Sequence, residues 1–288
     1  QIEWVKNPDG SQGYTWNPIT GCLNHKNGLC KGGGFPCYAY KLANGRLKQR
    51  YLANKNLSPD YSAIKRALDR GPEPFQDPFY PRFWEERLTP LHIPRKADSP
   101  RKGIFLCDMG ELFGHWIPRS WQEQVFNAIK ANPDYRFYLL TKQPQNLIKF
   151  SPFPENCWVG GTVTNNTLWN RAIENLGRIQ ASIKYISFEP LLSRVGNTVD
   201  REDDPNDLGE EFWNCGIDWL IIGAQTKPYK PPKIEWVREI VDAADRAGIP
   251  VFLKDNLDPL LRDHFGEVRN QLFTLKGEDI ELRQEMPR

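Results

Sequence analysis

The sequence of 288 residues is poor in several things, and each shortage excludes something. No apolar run approaches the roughly 20 residues needed to cross a bilayer, so a membrane-spanning helix is not expected. The start, QIEWVKNPDGSQGYTW, has no basic stretch followed by an apolar one, so nothing in it points to export, and a cytoplasmic protein is expected. Cysteines number only six, too few for a disulfide scaffold. An excess of one charge is also missing: the formal net charge is +2, which by itself calls for no polyanionic partner. With 39% hydrophobic and 26% charged residues the chain reads as globular, and its length suits a single large α/β domain spanning 1–288.

The charge that is present is unevenly placed. Residues 41–70 carry eight Lys and Arg against two Asp, beside Tyr38, Tyr40 and Tyr51. Cations interleaved with aromatics can grip a nucleic-acid strand, although the same residues can equally pack a helix. Residues 200–211, DREDDPNDLGEE, hold seven acids and one Arg without apolar periodicity, so 199–212 reads as a solvated loop insertion. Proline-rich stretches at 72–82 and 228–232 read as surface loops.

From residue 103 onward short β-type runs alternate with helical periodicity. The strand candidates are 103–108, 136–141, 157–163, 184–189, 218–223 and 250–254, with an N-terminal strand near Tyr14 to Trp16. Between them Trp121, Val125 and Ile129 recur at i, i+4, i+8, and Ile234, Val237, Val241 and Ala244 at i, i+3, i+7, i+10, which gives each helix one buried face. About seven parallel strands joined by crossover helices predict an α/β fold with a partial or complete parallel (β/α) barrel. A doubly wound open sheet fits the same alternation, and the barrel is the preferred expectation.

In such a barrel the chemistry gathers at the C-terminal ends of the strands. Those positions are polar here: Cys107, Asp108 and Glu111; Thr141 and Lys142; Thr162, Thr164, Asn165 and Asn166; Ser187 and Glu189; Gln225; Lys254 and Asp255. Helix capping accounts for residue types such as Thr164 and Asn165 equally well. Capping explains Glu189 and Lys254 poorly. Each follows an apolar run, so each is expected to point a charge into a partly desolvated mouth, which makes the two the catalytic candidates.

The other cysteines form a pattern. Cys22, Cys30 and Cys37 lie within sixteen residues in a loop, 20–38, rich in glycine. Gly28, Gly32, Gly33 and Gly34 let the backbone fold tightly enough to bring three thiols onto one metal centre. Three thiolates on a 4Fe–4S cluster leave one iron open to a small molecule, whereas structural zinc normally takes four protein ligands. His25 can supply a fourth, giving a Cys3His zinc site, and spacing alone leaves both readings open.

TWNPITGC with two further cysteines and YAYKLA, then FLCDMGELFG, YLLTKQPQ, GGTVTNN, SFEPLL, DWLIIGAQT and GIPVFLK, resembles an uncharacterised family of phage-type and prokaryotic proteins named after phage gene products thirty-seven and sixty-eight. That family is regarded as related to radical S-adenosylmethionine enzymes, and the resemblance runs from Trp16 to Lys254. It implies a radical-SAM-like partial (β/α)6-type barrel whose 4Fe–4S cluster binds S-adenosylmethionine and cleaves it reductively to start radical chemistry. Carried over, Cys22, Cys30 and Cys37 are cluster ligands, and the segment from Asp108 to Glu111 binds the methionyl amino group. Thr162, Thr164 and Asn165 lie near the ribose, with Thr141 in the same cofactor-binding set. The implied partners are a reductant such as flavodoxin or ferredoxin and, from the family's similarity to spore photoproduct lyase, a nucleic-acid or nucleotide substrate. Two rival expectations stand beside this one: a zinc-stabilised nucleic-acid-binding module, and a hydrolase working through Glu189 and Lys254.

Overall fold

The structure is a computed structural model that describes residues 2–59, 73–88, 102–196, 208–276 and 279–287. Seven strands carry the fold: β1 (Tyr14–Trp16), β2 (Gly103–Leu106), β3 (Arg136–Thr141), β4 (Cys157–Thr162), β5 (Ile183–Phe188), β6 (Trp219–Ile222) and β7 (Val251–Leu253). The pairs β1–β2, β2–β3, β4–β5, β5–β6 and β6–β7 are parallel, and the order of the seven strands in the sheet is their order in the chain. A doubly wound sheet reverses its strand order part-way, and this one does not. The fold is therefore mixed α/β with a seven-stranded parallel sheet, consistent with a partial parallel barrel. GIFL, CWVGGT and WLII are buried at every position, as parallel strands covered on both faces require.

The chain divides into two compact units. The first comprises Gln1–Asn146 with Pro154–Cys157. Here β2 lies between β1 and β3, with Trp16 opposite Leu106 and Phe105 opposite Tyr138. Helices α1 (Tyr38–Asn44) and α2 (Lys48–Ala53) follow the cysteine loop, and α3 (Arg119–Lys130) buries Trp121, Val125 and Ile129 as the periodicity predicts. Strand β2 ends two residues earlier than expected, because Cys107 adopts a left-handed φ of 58° and starts a turn.

The second unit comprises Leu147–Phe153 and Trp158–Arg288. It holds the rest of β4 and β5 to β7, with α4 (Asn166–Leu176), α5 (Leu208–Cys215), α6 (Ile234–Ala247), α7 (Asp258–Asp263) and α8 (Phe265–Leu272). Ile234, Val237, Val241 and Ala244 are buried on α6, as expected, and Gly248 ends that helix in the left-handed conformation.

Three expectations need correction. The acidic stretch is not a loop throughout: 208–212 opens helix α5, where Leu208, Phe212 and Cys215 at i, i+4, i+7 are buried. Residues 197–207 lie outside the described ones. The 72–82 stretch is not a surface loop at its C-terminal end, where Phe79, Tyr80 and Arg82 are fully buried. Aromatics draw that segment inward, and the Arg82 guanidinium donates to the carbonyls of Asn54, Tyr80 and Pro74. The tyrosines beside the basic stretch are not a stacking platform either. Tyr51 is buried against Phe79, Trp84 and Met109, Tyr40 packs on His25 and Phe79, and only Tyr38 is well exposed. Arg46, Lys48 and Arg50 are exposed, while 60–70 fall outside the described residues. Of the 228–232 stretch, residues 228–231 are exposed as expected and Pro232 is buried, with Tyr229–Lys230 pairing back on Gln225–Thr226.

No helix among the described residues is long and apolar enough to cross a membrane.

Candidate functional site

In the first unit the cysteine loop is tied to the turn that follows β2. Gly21 N donates to Met109 O (2.9 Å), Glu111 N donates to Gly21 O (3.3 Å), and Cys22 N donates to Phe79 O (3.1 Å). Gly21 has φ +88°, and a Cβ there would stand 2.6 Å from the carbonyl oxygens of Phe79 and Tyr80, so only glycine lets the loop approach this closely. Beyond it His25–Lys26 pairs antiparallel with Leu29–Cys30 around Asn27 and Gly28, both with positive φ (49° and 81°). That is the Asn-Gly hairpin turn. Cys37 N then donates to Gly28 O (2.8 Å), which brings the third cysteine back to the tip of the hairpin.

None of the six cysteines is in a disulfide. Burial pushes the Cys22 thiol well up, and the negative charges of Glu111, Cys30 and Cys37 push it further, against one hydrogen bond from Asn24 N at 3.3 Å. Burial also raises Cys37, which feels Cys30 as well and is partly relieved by the Lys142 ammonium. The three thiols thus share one electrostatic neighbourhood with Glu111 and Lys142. Among the described residues no group of three or more His, Cys, Asp or Glu side chains is already arranged to hold a metal ion.

The expected cofactor residues of this unit are brought to the same turn. Glu111 is buried, and Oε1 accepts from the Thr141 hydroxyl (2.7 Å) and from Phe113 N (3.2 Å), while Oε2 accepts from Lys142 N (3.2 Å). Burial raises its pKa against those hydrogen bonds. Its carboxyl therefore fastens the turn after β2 to the end of β3. Asp108 is half-buried, and its carboxylate accepts from Asn17 Nδ2. Asn17 Oδ1 in turn accepts from Met109 N (2.9 Å), and the Tyr38 hydroxyl donates to the Asp108 carbonyl. Burial, as the first cause, raises the Asp108 pKa. Asn17 escaped the sequence reading, and Tyr38 was read there only as a stacking aromatic, because their partners lie about 90 and 70 residues away.

The second unit holds the remaining expected residues. Lys254 Nζ donates to Glu189 Oε1, and the pair is only partly exposed, at 12% and 30% of the two side chains. Gly223 makes room for it: a Cβ there would stand 2.9 Å from Lys254 Cδ and 3.4 Å from Glu189 Cγ. Asn256 Oδ1 accepts from Ala224 N and its Nδ2 donates to Ala224 O, both at 2.9 Å, which holds the turn after β7 against the end of β6. Thr162 and Thr164 are buried. Asn165 caps α4, accepting from Leu168 N at 3.1 Å, so its side-chain oxygen serves the helix.

Sequential parallel strands with polar groups at their C-terminal ends, and a cysteine hairpin between the first strand and the second, define an α/β protein of the partial parallel barrel type. The chain belongs to the family described as "Protein of unknown function (DUF5131)", whose model matches residues 1–259 and so takes in all three loop cysteines, Glu189 and Lys254. No curated protein and no solved structure matches the chain.

Proposed function

We propose that the protein is a cytoplasmic radical S-adenosylmethionine enzyme whose cysteine loop holds a 4Fe–4S cluster through Cys22, Cys30 and Cys37. The observation that carries this reading is the mutual repulsion that Cys22, Cys30, Cys37 and Glu111 would feel as anions in one buried neighbourhood. Cys22 and Cys37, whose protons are held on by burial and by the charges beside them, give them up more readily when a cation joins the loop, and a three-thiolate donor set fits that cluster. Held by Cys22, Cys30 and Cys37, such a cluster would supply the reductive cleavage of S-adenosylmethionine, with an electron from a flavodoxin or ferredoxin.

The chain's own residues then divide the work. Asp108, half-exposed and oriented through Asn17, is the better carboxylate for a cofactor ammonium, because both oxygens of Glu111 already accept hydrogen bonds. Lys142, beside Cys37, offsets negative charge at the loop. Lys254 and Glu189 form the proton-donating and proton-accepting pair on the substrate side, and Thr141, Thr162 and Thr164 are further polar contacts. A nucleotide or nucleic acid is the proposed substrate, resting on the exposed Arg46, Lys48 and Arg50.

One observation favours a second reading. His25 is the register partner of Cys30, as a Cys3His zinc site in a nucleic-acid-binding module would want. Anaerobic purification followed by iron, sulfide and zinc analysis tests the two. The radical reading expects a brown protein bleached by dithionite, with colour lost in Cys22→Ala, Cys30→Ala and Cys37→Ala and kept in Cys107→Ala and Cys215→Ala. A colourless protein with one zinc per chain, released by His25→Ala, overturns it. A colourless metal-free protein that hydrolyses its substrate without reductant would leave Glu189 and Lys254 as hydrolase residues instead.

A further inference from the structure

The inner face of β4 to β7 in the second unit is built in layers. In parallel strands side chains alternate faces, and register partners point to the same side. A Cβ on Gly161 would meet Ala172 and Leu176 of α4, at 3.4 and 3.5 Å, so that side faces the helix. Trp158, Gly160 and Thr162 therefore face the other way. On that side Trp219 makes ring contacts with Trp158, Tyr185 and Phe252, with centroids 5.8 to 6.3 Å apart, Phe252 lying one register step nearer the strand ends as the partner of Ile221. One step toward the strand ends, Thr162 is the register partner of Ser187, and Ser187 of Ile221. The next step carries Glu189, Gly223 and Lys254 with their ion pair.

The two hydroxyls of the middle layer stand out. Ser187 is 0% exposed and Thr162 2%, and neither Oγ of Ser187 nor Oγ1 of Thr162 has a hydrogen-bond partner in the structure. A buried hydroxyl without a partner is costly, and here two stand side by side on neighbouring strands, between an aromatic floor and a pair of opposite charges.

We propose that this layer is a binding site for a small zwitterion, an α-amino carboxylate, whose ammonium goes to Glu189 and whose carboxylate goes to Lys254 and the hydroxyls of Thr162 and Ser187. Charge balance selects this class. A lone anion would take Lys254 and leave Glu189 uncompensated, and a lone cation would do the reverse, whereas a zwitterion lets each member of the pair change partner without burying net charge. The two hydroxyls then donate to carboxylate oxygens, a charge-assisted bond stronger than a neutral one. Gly223 lets Lys254 and Glu189 come together over the layer. The assignment stands on the second unit alone and does not depend on a metal in the first.

The test uses the full-length protein purified with chelator and no added cofactor, titrated calorimetrically with glycine, L-alanine and L-methionine, and with acetate, propionate and ethylamine as singly charged controls. At least one amino acid should bind and the singly charged probes should not. Glu189→Gln and Lys254→Gln should each weaken that binding at least tenfold, and Thr162→Val and Ser187→Ala about three- to tenfold each. Because the last two remove unpartnered buried hydroxyls, they should also raise the unfolding midpoint of the ligand-free protein. Equal binding of acetate and alanine, or no amino acid binding at all, overturns the proposal. So does a lowered midpoint in both Thr162→Val and Ser187→Ala, which would mean that the hydroxyls are satisfied within the protein. A separate arm adds S-adenosylmethionine, and if that alone binds, the layer belongs to the cofactor and the proposal falls.

Discussion

The turn after β2 and the inner face of β4 to β7 are both polar ends of parallel strands, yet they use polarity in opposite ways. In the first unit almost every polar group is spent on another: Glu111 accepts three hydrogen bonds, Asp108 leans on Asn17, and the backbone of the cysteine loop is tied to Met109 and Phe79. What stays unbalanced there is charge, because Glu111, Cys30 and Cys37 oppose the ionisation of Cys22, and Cys30 that of Cys37, on top of burial. In the second unit charge is balanced within the Glu189 and Lys254 pair, and what stays unbalanced is hydrogen bonding, at Thr162 and Ser187. The first arrangement calls for a cation and the second for a zwitterionic hydrogen-bonding ligand. A site's missing partner can be read from which kind of account fails to close.

The sharpest way to break this comparison is through one glycine in each region. Gly21→Ala must place a Cβ 2.6 Å from two backbone oxygens at a φ of +88°, and backbone cannot step aside, so a loss of about 4 kcal/mol is expected from overpacking and left-handed strain together. Gly223→Ala meets the Lys254 side chain at 2.9 Å, which can move, so about 1–2 kcal/mol is expected, with the ion pair displaced. Urea unfolding of the two variants checks this. Equal losses would mean that the cysteine loop is no more rigidly fastened than the layer in the second unit.

Glu111 gives the next effect. Glu111→Ala leaves the Thr141 hydroxyl and the N–H groups of Phe113 and Lys142 without their acceptor in a buried place, an expected cost of about 3 kcal/mol. Glu189→Ala removes a partner from Lys254 nearer to solvent and should cost about 1 kcal/mol. If Glu111→Ala unfolds no more easily than Glu189→Ala, Glu111 is not a fastener and returns to the candidates for cofactor binding.

That reassignment shows what the sequence could tell. Strand positions followed from short β-type runs bounded by turns, and they agree with the structure to within one or two residues because GIFL, RFYLLT and WLII are too short for buried helices and rich in β-branched or aromatic residues. Helices α3 and α6 followed from their periodicity in the same way. The Asn-Gly turn between His25 and Cys30 was also on view as a hairpin signal, though the loop was read only as glycine-rich. Other features could not be read. A carboxylate after a strand looks alike whether it waits for a ligand or holds down its own turn, and the Glu111 partner Thr141 lies 30 residues on. The adjacency of Thr162 and Ser187 exists only through strand register. Helix α5 was hidden by the acids that surround Leu208, Phe212 and Cys215.

The smallest expected effect separates a cysteine buried for packing from those of the loop. Cys157 opens β4 at 0% exposure, and burial alone pushes its thiol from the ordinary 9.0 up to about 12. In the unfolded chain the thiol loses its proton as the pH passes about 9, while the native protein keeps it, so over that window the unfolded state binds fewer protons than the native one. Stability must then fall as the pH rises from about 9 towards 12, by at most about 1.4 kcal/mol per pH unit for this one group. Below pH 9 Cys157→Ala should be less stable because it leaves a small cavity, and between pH 9 and 10.5 its stability should fall less steeply than that of the wild type, so that the difference narrows. Other groups titrate in the same range, and they cancel when the two slopes are subtracted. Urea unfolding of metal-free wild type and variant at several pH values gives the difference. Parallel slopes would mean that the native protein lets Cys157 ionise as freely as the unfolded chain does, and the contrast between an inert core thiol and the loop thiols that push one another's protons on would disappear.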